Sequence, residues 1–195
     1  TVVLEEVTVN AYQTKSSLSR IPGSLSVLTG DAISAWDANS MAATINSLPG
    51  VYMQSGTYAT SRIVIRGMGS RTPYNTIRIK FYLNDIPITS SDGVSNPEDI
   101  NLHMIDRLEV VKGPASALYG SGLGGTINMS TAINRRTHTN AQIHYGAFNT
   151  MKADVQQNFK TDRFSFQAHL SAVNSDGYRE NNHLKKRTAL AAGDV

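Results

Sequence analysis

The chain contains no cysteine, which excludes a disulfide framework, a thiolate nucleophile and cysteine-ligated metal clusters. It also has no apolar run long enough to cross a bilayer as a helix, so a membrane role would have to rest on β-strands. No charged-then-apolar leader opens the sequence, and Thr1 is read as the start of a processed or trimmed chain. Aromatics are sparse at 7%, with one tryptophan, and neither sign of charge dominates: 18 Lys+Arg against 15 Asp+Glu leave +3. The imbalance is regional. Residues 135–195 hold nine Lys/Arg against five Asp/Glu, and residues 1–134 hold nine against ten. A domain boundary is expected there, at Asn134 and Arg135, and 195 residues suffice for one good core or a core plus an appendage.

Before that boundary, short strands alternate with short helices. Residues 25–29 read as a strand, residues 31–37 as a helix with Thr29 or Gly30 near its cap, and residues 40–48 as a second helix closed by Pro49 and Gly50. Residues 63–66 and 77–83 supply further strands. Asn96, Pro97, Glu98 and Asp99 read as a capped helix start, with proline at the first position and acids at the positive end of the dipole. Polar, glycine-containing loops are expected at residues 54–61, 68–76 and 89–95, where binding residues commonly sit on a rigid scaffold. One mixed sheet flanked by short helices should bury Ile63, Ile65, Ile79, Val110 and Ile127.

Beyond Arg135 the pattern changes to strict alternation. Phe164, Phe166, Ala168, Leu170 and Ala172 alternate with Arg163, Ser165, Gln167, His169 and Ser171, a period of two that no helix shows. Ala141, Ile143 and Tyr145, then Met151, Ala153 and Val155, repeat the pattern, with turns at Asn149–Thr150 and Thr161–Asp162, so a meander of antiparallel strands is expected. Strands of about ten residues can cross an outer membrane when tilted. A soluble sandwich shows the same alternation, and on these strands alone both readings stand.

Rival chemistries fit poorly. The run G-S-G-L-G-G at residues 120–125 lacks the Gly-Lys-Ser/Thr and long helix of a phosphate loop, and β-like residues follow it. The five histidines, His103, His138, His144, His169 and His183, never fall at paired metal-ligand spacing, so no metal site and no cofactor is expected. No G-x-S-x-G elbow appears, and the chain is not read as an enzyme. The Lys185, Lys186, Arg187 cluster reads as a solvated loop at a rim, so no nucleic-acid partner is inferred.

The most specific stretch is R-L-E-V-V-K-G-P-A-S-A-L-Y-G-S-G-L-G-G-T-I-N-M-S-T at residues 107–131. It joins a short strand, a sharp turn at Gly113 and Pro114, one helical turn, and glycines leading into another buried strand. It closely resembles the end of the plug domain of TonB-dependent outer-membrane receptors. Five earlier segments match that family in the same order: V-T-V-N-A (7–11), I-P-G-S-L-S-V-L-T (21–29), S-L-P-G-V (47–51), I-V-I-R-G (63–67) and F-Y-L-N-D-I-P-I (81–88). Two departures are visible, Asn84-Asp85 where relatives often have Asp-Gly and Lys112 where they often have arginine. Both keep the local physics, since Asn and Asp tolerate turn geometry and lysine keeps the charge.

The resemblance implies an α+β plug domain, a mixed sheet with short helices, followed by antiparallel strands of a truncated transmembrane β-barrel. Residues 1–15 would be a TonB-box-like segment, 16–134 the plug, and 135–195 the first strands of the barrel. Family barrels have about twenty-two strands, so the chain is expected to be an N-terminal fragment. Its implied role is energy-coupled import of a scarce ligand, a metal chelate such as a ferric siderophore, across the cell outer membrane. The alternative is a soluble or surface binding or adhesion module without transport. In the transporter reading Glu6, Val7, Thr8, Val9 and Asn10 form the TonB box, which pairs as an added strand with a TonB-type energy-coupling protein. Gln54, Tyr58, Arg71, Tyr74 and Asp92 are candidates for the ligand-facing loops. Arg66, Glu109 and Lys112 are candidates for the charges that hold plug to barrel wall. Outer-membrane lipid is the remaining expected partner.

Overall fold

A computed structural model of the chain describes residues 8–9, 16–17, 20–21, 23–35, 41–57, 60–71, 74, 77–114, 116–120, 122–131 and 137–194. In chain order the elements are β1 (Thr8–Val9), β2 (Ser16–Ser17), β3 (Ser24–Thr29), α1 (Gly30–Ser34), α2 (Met41–Asn46), β4 (Val51–Thr57), β5 (Thr60–Ile65), β6 (Ile79–Leu83) and β7 (Ile86–Pro87). Two 3-10 turns, Pro97–Asp99 and Leu102–Met104, lead into β8 (Ile105–Lys112), α3 (Ser116–Tyr119) and β9 (Gly125–Thr131). Four long strands close the chain: β10 (His138–Gly146), β11 (Thr150–Lys160), β12 (Ser165–Ser175) and β13 (Leu184–Asp194).

The N-terminal unit is built on a mixed sheet in the order β3-β8-β9-β6-β7, in which β6 and β9 run parallel and the other pairs antiparallel. Apolar side chains from the sheet and from α2 meet in one core. Ile65, Ile79, Leu108, Val110 and Ile127 are fully buried there and Ile63 is 2% exposed, as the alternation of β5 and the apolar run of β8 predict. The glycines before β9 have a definite task. Gly125 sits at φ +140, and a Cβ there would collide with the Val111 carbonyl oxygen, so β8 and β9 approach this closely only because the side chain is missing. Asn84 and Asp85, both at positive φ (47 and 65), make the tight turn between β6 and β7.

Residues 54–61 differ from the expected loop, and the sheet is not single. Residues 51–57 form β4, which pairs with β5 as a separate two-stranded sheet, Val51 opposite Ile65 and Met53 opposite Ile63, with an irregularity between Ser55 and Thr57. Ser55 and Gly56 read as turn residues by composition, but the partner strand and the buried face of Val51 and Met53 override that preference. Asn46, ending α2, fixes this strand: its Nδ2 donates to the Met53 carbonyl at 2.9 Å and its Oδ1 accepts the Met53 N–H at 2.6 Å. The helix expected at Asn96 is only the 3-10 turn Pro97–Asp99, without a side-chain cap bond from Asn96. Thr29 likewise makes no side-chain cap bond to α1. The expected break at Asn134 and Arg135 lies outside the described residues.

The C-terminal strands form an antiparallel meander in sequence order, β10-β11-β12-β13. Phe148 and Asn149, at φ 57 and 52, make the first turn. The faces of this sheet are inverted relative to a soluble sandwich. Lys152, Asp154, Asn158, Gln167 and His169 are buried, at 2%, 5%, 0%, 0% and 1% exposure, on the face through which Asp154 meets Asn101 of the N-terminal unit. On the opposite face Ile143, Tyr145, Val155, Phe166 and Leu170 are exposed. A soluble sheet would bury the second set and hydrate the first. An apolar outer band on strands of 9 to 11 residues, with aromatic pairs Phe148–Tyr178 and Phe159–Phe164 at its two ends, is the pattern of a membrane-spanning barrel wall.

Candidate ligand cavity and wall contacts

The β4–β5 hairpin, the two 3-10 turns and the polar face of the four long strands enclose a cavity of roughly 540 Å³. Ser55 and Gly56 come from the hairpin, Glu98 and Asn101 from the turns, and Lys152, Ser171, Tyr178, Asn182 and Lys186 from the strands and the loop between β12 and β13. Apolar Met41, Met53 and Leu102 also line it. The arrangement combines hydroxyls and amides with two lysines and a carboxyl, a set that orients an oxygen-rich ligand by hydrogen bonds beside apolar side chains.

Contacts across the cavity tie the two parts of the chain together. Lys186 Nζ donates to the Glu98 carbonyl oxygen, while burial pushes the Glu98 carboxyl up from its usual range and Lys186 opposes that shift. The Ser61 side chain and the Glu98 backbone N–H also oppose the shift, so the carboxyl is held by the plug as well as facing the wall lysine. Asn101 Nδ2 donates to Asp154 Oδ1 at 2.8 Å, and Asp154 lies 3.7 Å from Lys152 Nζ and 3.6 Å from His169 Nε2. Next to this group the His103 ring stacks on His144 with centroids 6.0 Å apart. Burial, reinforced by Lys152, lowers the His103 imidazole to about 4. No group of three or more His, Cys, Asp or Glu positioned to hold a metal ion occurs among the described residues.

The profile of the TonB-dependent Receptor Plug Domain family matches residues 17–126, more than half of the chain. The chain belongs to this family. Its location is the cell outer membrane, as for its relatives. Among curated proteins it is 33% identical to the Vitamin B12 transporter BtuB of Photobacterium profundum over 65% of this chain and 20% of that one. It is 32% identical to the Iron-regulated outer membrane virulence protein of Vibrio cholerae over 65% of this chain and 20% of that one. The fold resembles that of the siderophore receptor PiuA from Acinetobacter baumannii, with a TM-score of 0.69 at 20% identity over 91% of this chain and 25% of that one. The ferric yersiniabactin uptake receptor FyuA from Yersinia pestis gives 0.65 at 18% identity over 88% of this chain and 28% of that one. The chain thus spans about a fifth of the curated relatives named here. By name BtuB is a transporter, and PiuA and FyuA are receptors.

Within the plug, the expected ligand-facing residues do not converge. Gln54 lies on β4 between the cavity-lining Met53 and Ser55, and its Oε1 accepts from Arg62 Nη2 at 2.8 Å. Tyr74 is 60% exposed, and its ring lies 3.7 Å from where a Gly56 side chain would begin, beside the same hairpin. Asp92 is engaged locally, accepting the Val94 N–H at 3.0 Å. Arg71 is exposed and, like Asp92, does not line the cavity. Tyr58 lies outside the described residues. Of the TonB-box residues, Thr8 and Val9 form β1, paired with Ser17 and Ser16 of β2, while Glu6, Val7 and Asn10 lie outside the described residues.

The three expected lock residues make contacts inside the plug. Arg66 Nη1 donates to the Lys112 carbonyl at 3.4 Å, and Lys112 Nζ donates to the Pro49 carbonyl at 2.6 Å, joining the β4–β5 hairpin to the end of β8. Glu109, 2% exposed, lies 3.7 Å from Arg107. Contacts from plug to wall instead use Glu98, Asn101, His103, Lys152, Asp154 and Lys186, none of which sequence reasoning assigned to that role; Lys186, expected in a solvated rim loop, lies on β13. A signal was present: Lys152 and Asp154 occupy the polar face of an alternating strand, where an opposite-charge pair two residues apart points to one side.

Proposed function

We propose that this chain is the plug and first four wall strands of an energy-coupled receptor that imports a scarce ligand across the outer membrane, a metal chelate such as a ferric siderophore. The observation that carries this reading is the inverted wall sheet, whose polar face lies on the plug and whose apolar face is turned outward. A plug held by polar contacts is displaceable, whereas one held by a dry apolar interface is not. The short turn at residues 161–164 would face the periplasm and the longer loop at residues 176–183 the outside, following the usual barrel asymmetry. That orientation puts the cavity, with Tyr178 and Asn182 at its edge, on the ligand-entry side. Gln54, Tyr58, Arg71, Tyr74 and Asp92 remain proposed ligand-facing residues, joined by Lys152 and Lys186, whose charge suits acceptor oxygens. Arg66, Glu109 and Lys112 remain proposed as charges presented to wall strands outside this chain.

The proposed TonB box, Glu6 to Asn10, would exchange its pairing with β2 for pairing with the coupling protein. The pull would then move part of the plug, and the ligand must bind the two states differently for occupancy to be signalled. The test uses the full-length receptor. Val7→Pro or Val9→Pro removes an N–H from the pairing strand while leaving the distant cavity intact. Ligand binding at the cell surface is expected to survive and energy-dependent accumulation to fail. Loss of both would make the segment a structural edge strand, and loss of neither would remove it from the mechanism.

A further inference from the structure

The plug turn at residues 101–104 meets the wall through a set of imidazoles that neither ligand capture nor energy coupling explains. Asn101 organises it. Its Oδ1 accepts the His103 N–H at 3.0 Å and its Nδ2 donates to Asp154 Oδ1 at 2.8 Å, so one amide shapes the turn and anchors it to the wall. The groups facing His103 are Lys152 and Asp154 on β11, His144 on β10 and His169 on β12. Asp154 is the one anion in that set, and it already lies 3.7 Å from Lys152 and 3.6 Å from His169. Lys152, Asp154 and His169 are 2%, 5% and 1% exposed, and neither ring nitrogen of His169 has a hydrogen-bond partner among the described residues. A proton on His103 would place a second cation beside Lys152 where one carboxylate is already shared, in surroundings that water screens poorly.

We propose that the Asn101–His103 turn is an acid-released latch between plug and wall, docked while His103 is neutral and freed when His103 takes a proton. The latch rests on the plug-and-wall arrangement and not on which ligand is imported. The sign follows from burial, which with Lys152 lowers the docked imidazole from 6.5 to about 4. A released ring in water takes its proton near the ordinary value, so the docked state binds fewer protons. Docking is at full strength above 6.5, weakens as pH falls toward about 4, and levels off below that.

The test is amide hydrogen exchange on the full-length receptor in outer-membrane vesicles, corrected for intrinsic rates, between about pH 7.5 and about pH 4.5. Opening of residues 97–106 relative to the β8–β9 sheet is expected to rise roughly ten- to a hundredfold on acidification, the full shift being reduced by screening of a partly exposed ring. His103→Gln is expected to stay docked and lose the pH dependence, and His169→Gln to keep it. A flat profile in the unmodified receptor overturns the latch. So does a persistent acid response in His103→Gln, or a response abolished by His169→Gln alone. Should His103→Gln expose the segment even at the higher pH, His103→Leu, which fills the site without a proton position, is the deciding variant: docking with a flat profile supports the latch, and a retained acid response overturns it.

Discussion

β5 in the plug and β12 in the wall share a period of two and use it in opposite senses. In β5 the inward positions are Ser61, Ile63 and Ile65, and the outward ones include Arg62. In β12 the inward positions are Ser165, Gln167, His169 and Ser171, while Phe166 and Leu170 point away from the protein. Periodicity therefore announces a strand without saying which of its faces is inside. What decides is the medium beyond the sheet. Water rewards burying the apolar face against a partner, whereas hydrocarbon accepts that face and leaves the polar one to meet the plug.

Substitutions on matching faces sharpen this contrast, beginning with the largest expected effect. Leu108→Ala in the plug core should cost about 2–5 kcal/mol, since it leaves a cavity where the side chain is fully buried. Leu170→Ala on the outer wall face should cost less than about 1 kcal/mol in lipid, where acyl chains fill the space. Urea midpoints for plug unfolding in the full-length receptor compare the two, and equal losses would break the distinction. Leu170→Arg, near the middle of β12, should cost about 2–4 kcal/mol when folding is measured in bilayers. A harmless arginine there would place that face in water.

Smaller effects test the seam. Asp154→Asn removes the charge opposite Lys152 while an amide can still engage Asn101, so it should weaken plug retention by about 1–3 kcal/mol. Extraction of the plug by denaturant from intact barrels measures it, and unchanged retention would mean that the ion pair contributes nothing to docking. Glu98→Gln should have the smallest effect and the opposite sign. Burial raises the Glu98 carboxyl above 4.5, so the native state favours its neutral form, with full stability below that value and loss as pH rises through the native one. The glutamine variant should be slightly more stable than the parent near neutral pH and should lose this pH dependence. Unfolding midpoints at about pH 7 and about pH 4 check both.

Most of the fold was legible in the order of short motifs. Glycines before β9, the Asn84-Asp85 turn and the apolar run of β8 each have a local steric or hydrophobic cause, and local causes leave local marks. Residues 51–57 were not legible as a strand because Ser55 and Gly56 favour turns, and only pairing with β5 outweighs that preference. The candidate site was less legible still. Gln54 and Tyr74 fall beside the cavity-forming hairpin, but Glu98 was readable only as an acid at a helix start, and nothing in the local pattern marked Asn101.

By itself the sequence determined the secondary structure of the alternating strands, the family, and the buried set Ile63, Ile65, Ile79, Val110 and Ile127, because period, turn chemistry and hydrophobicity act between near neighbours. Tertiary structure alone decided that the polar face of β10–β13 turns inward and that Asn101 meets Asp154. It likewise decided that His103 faces the neighbouring Lys152 and His144 of the wall. Those partners lie some forty to fifty residues apart in sequence. A charge carries no mark of which distant group it will face until the chain has closed the loop between them.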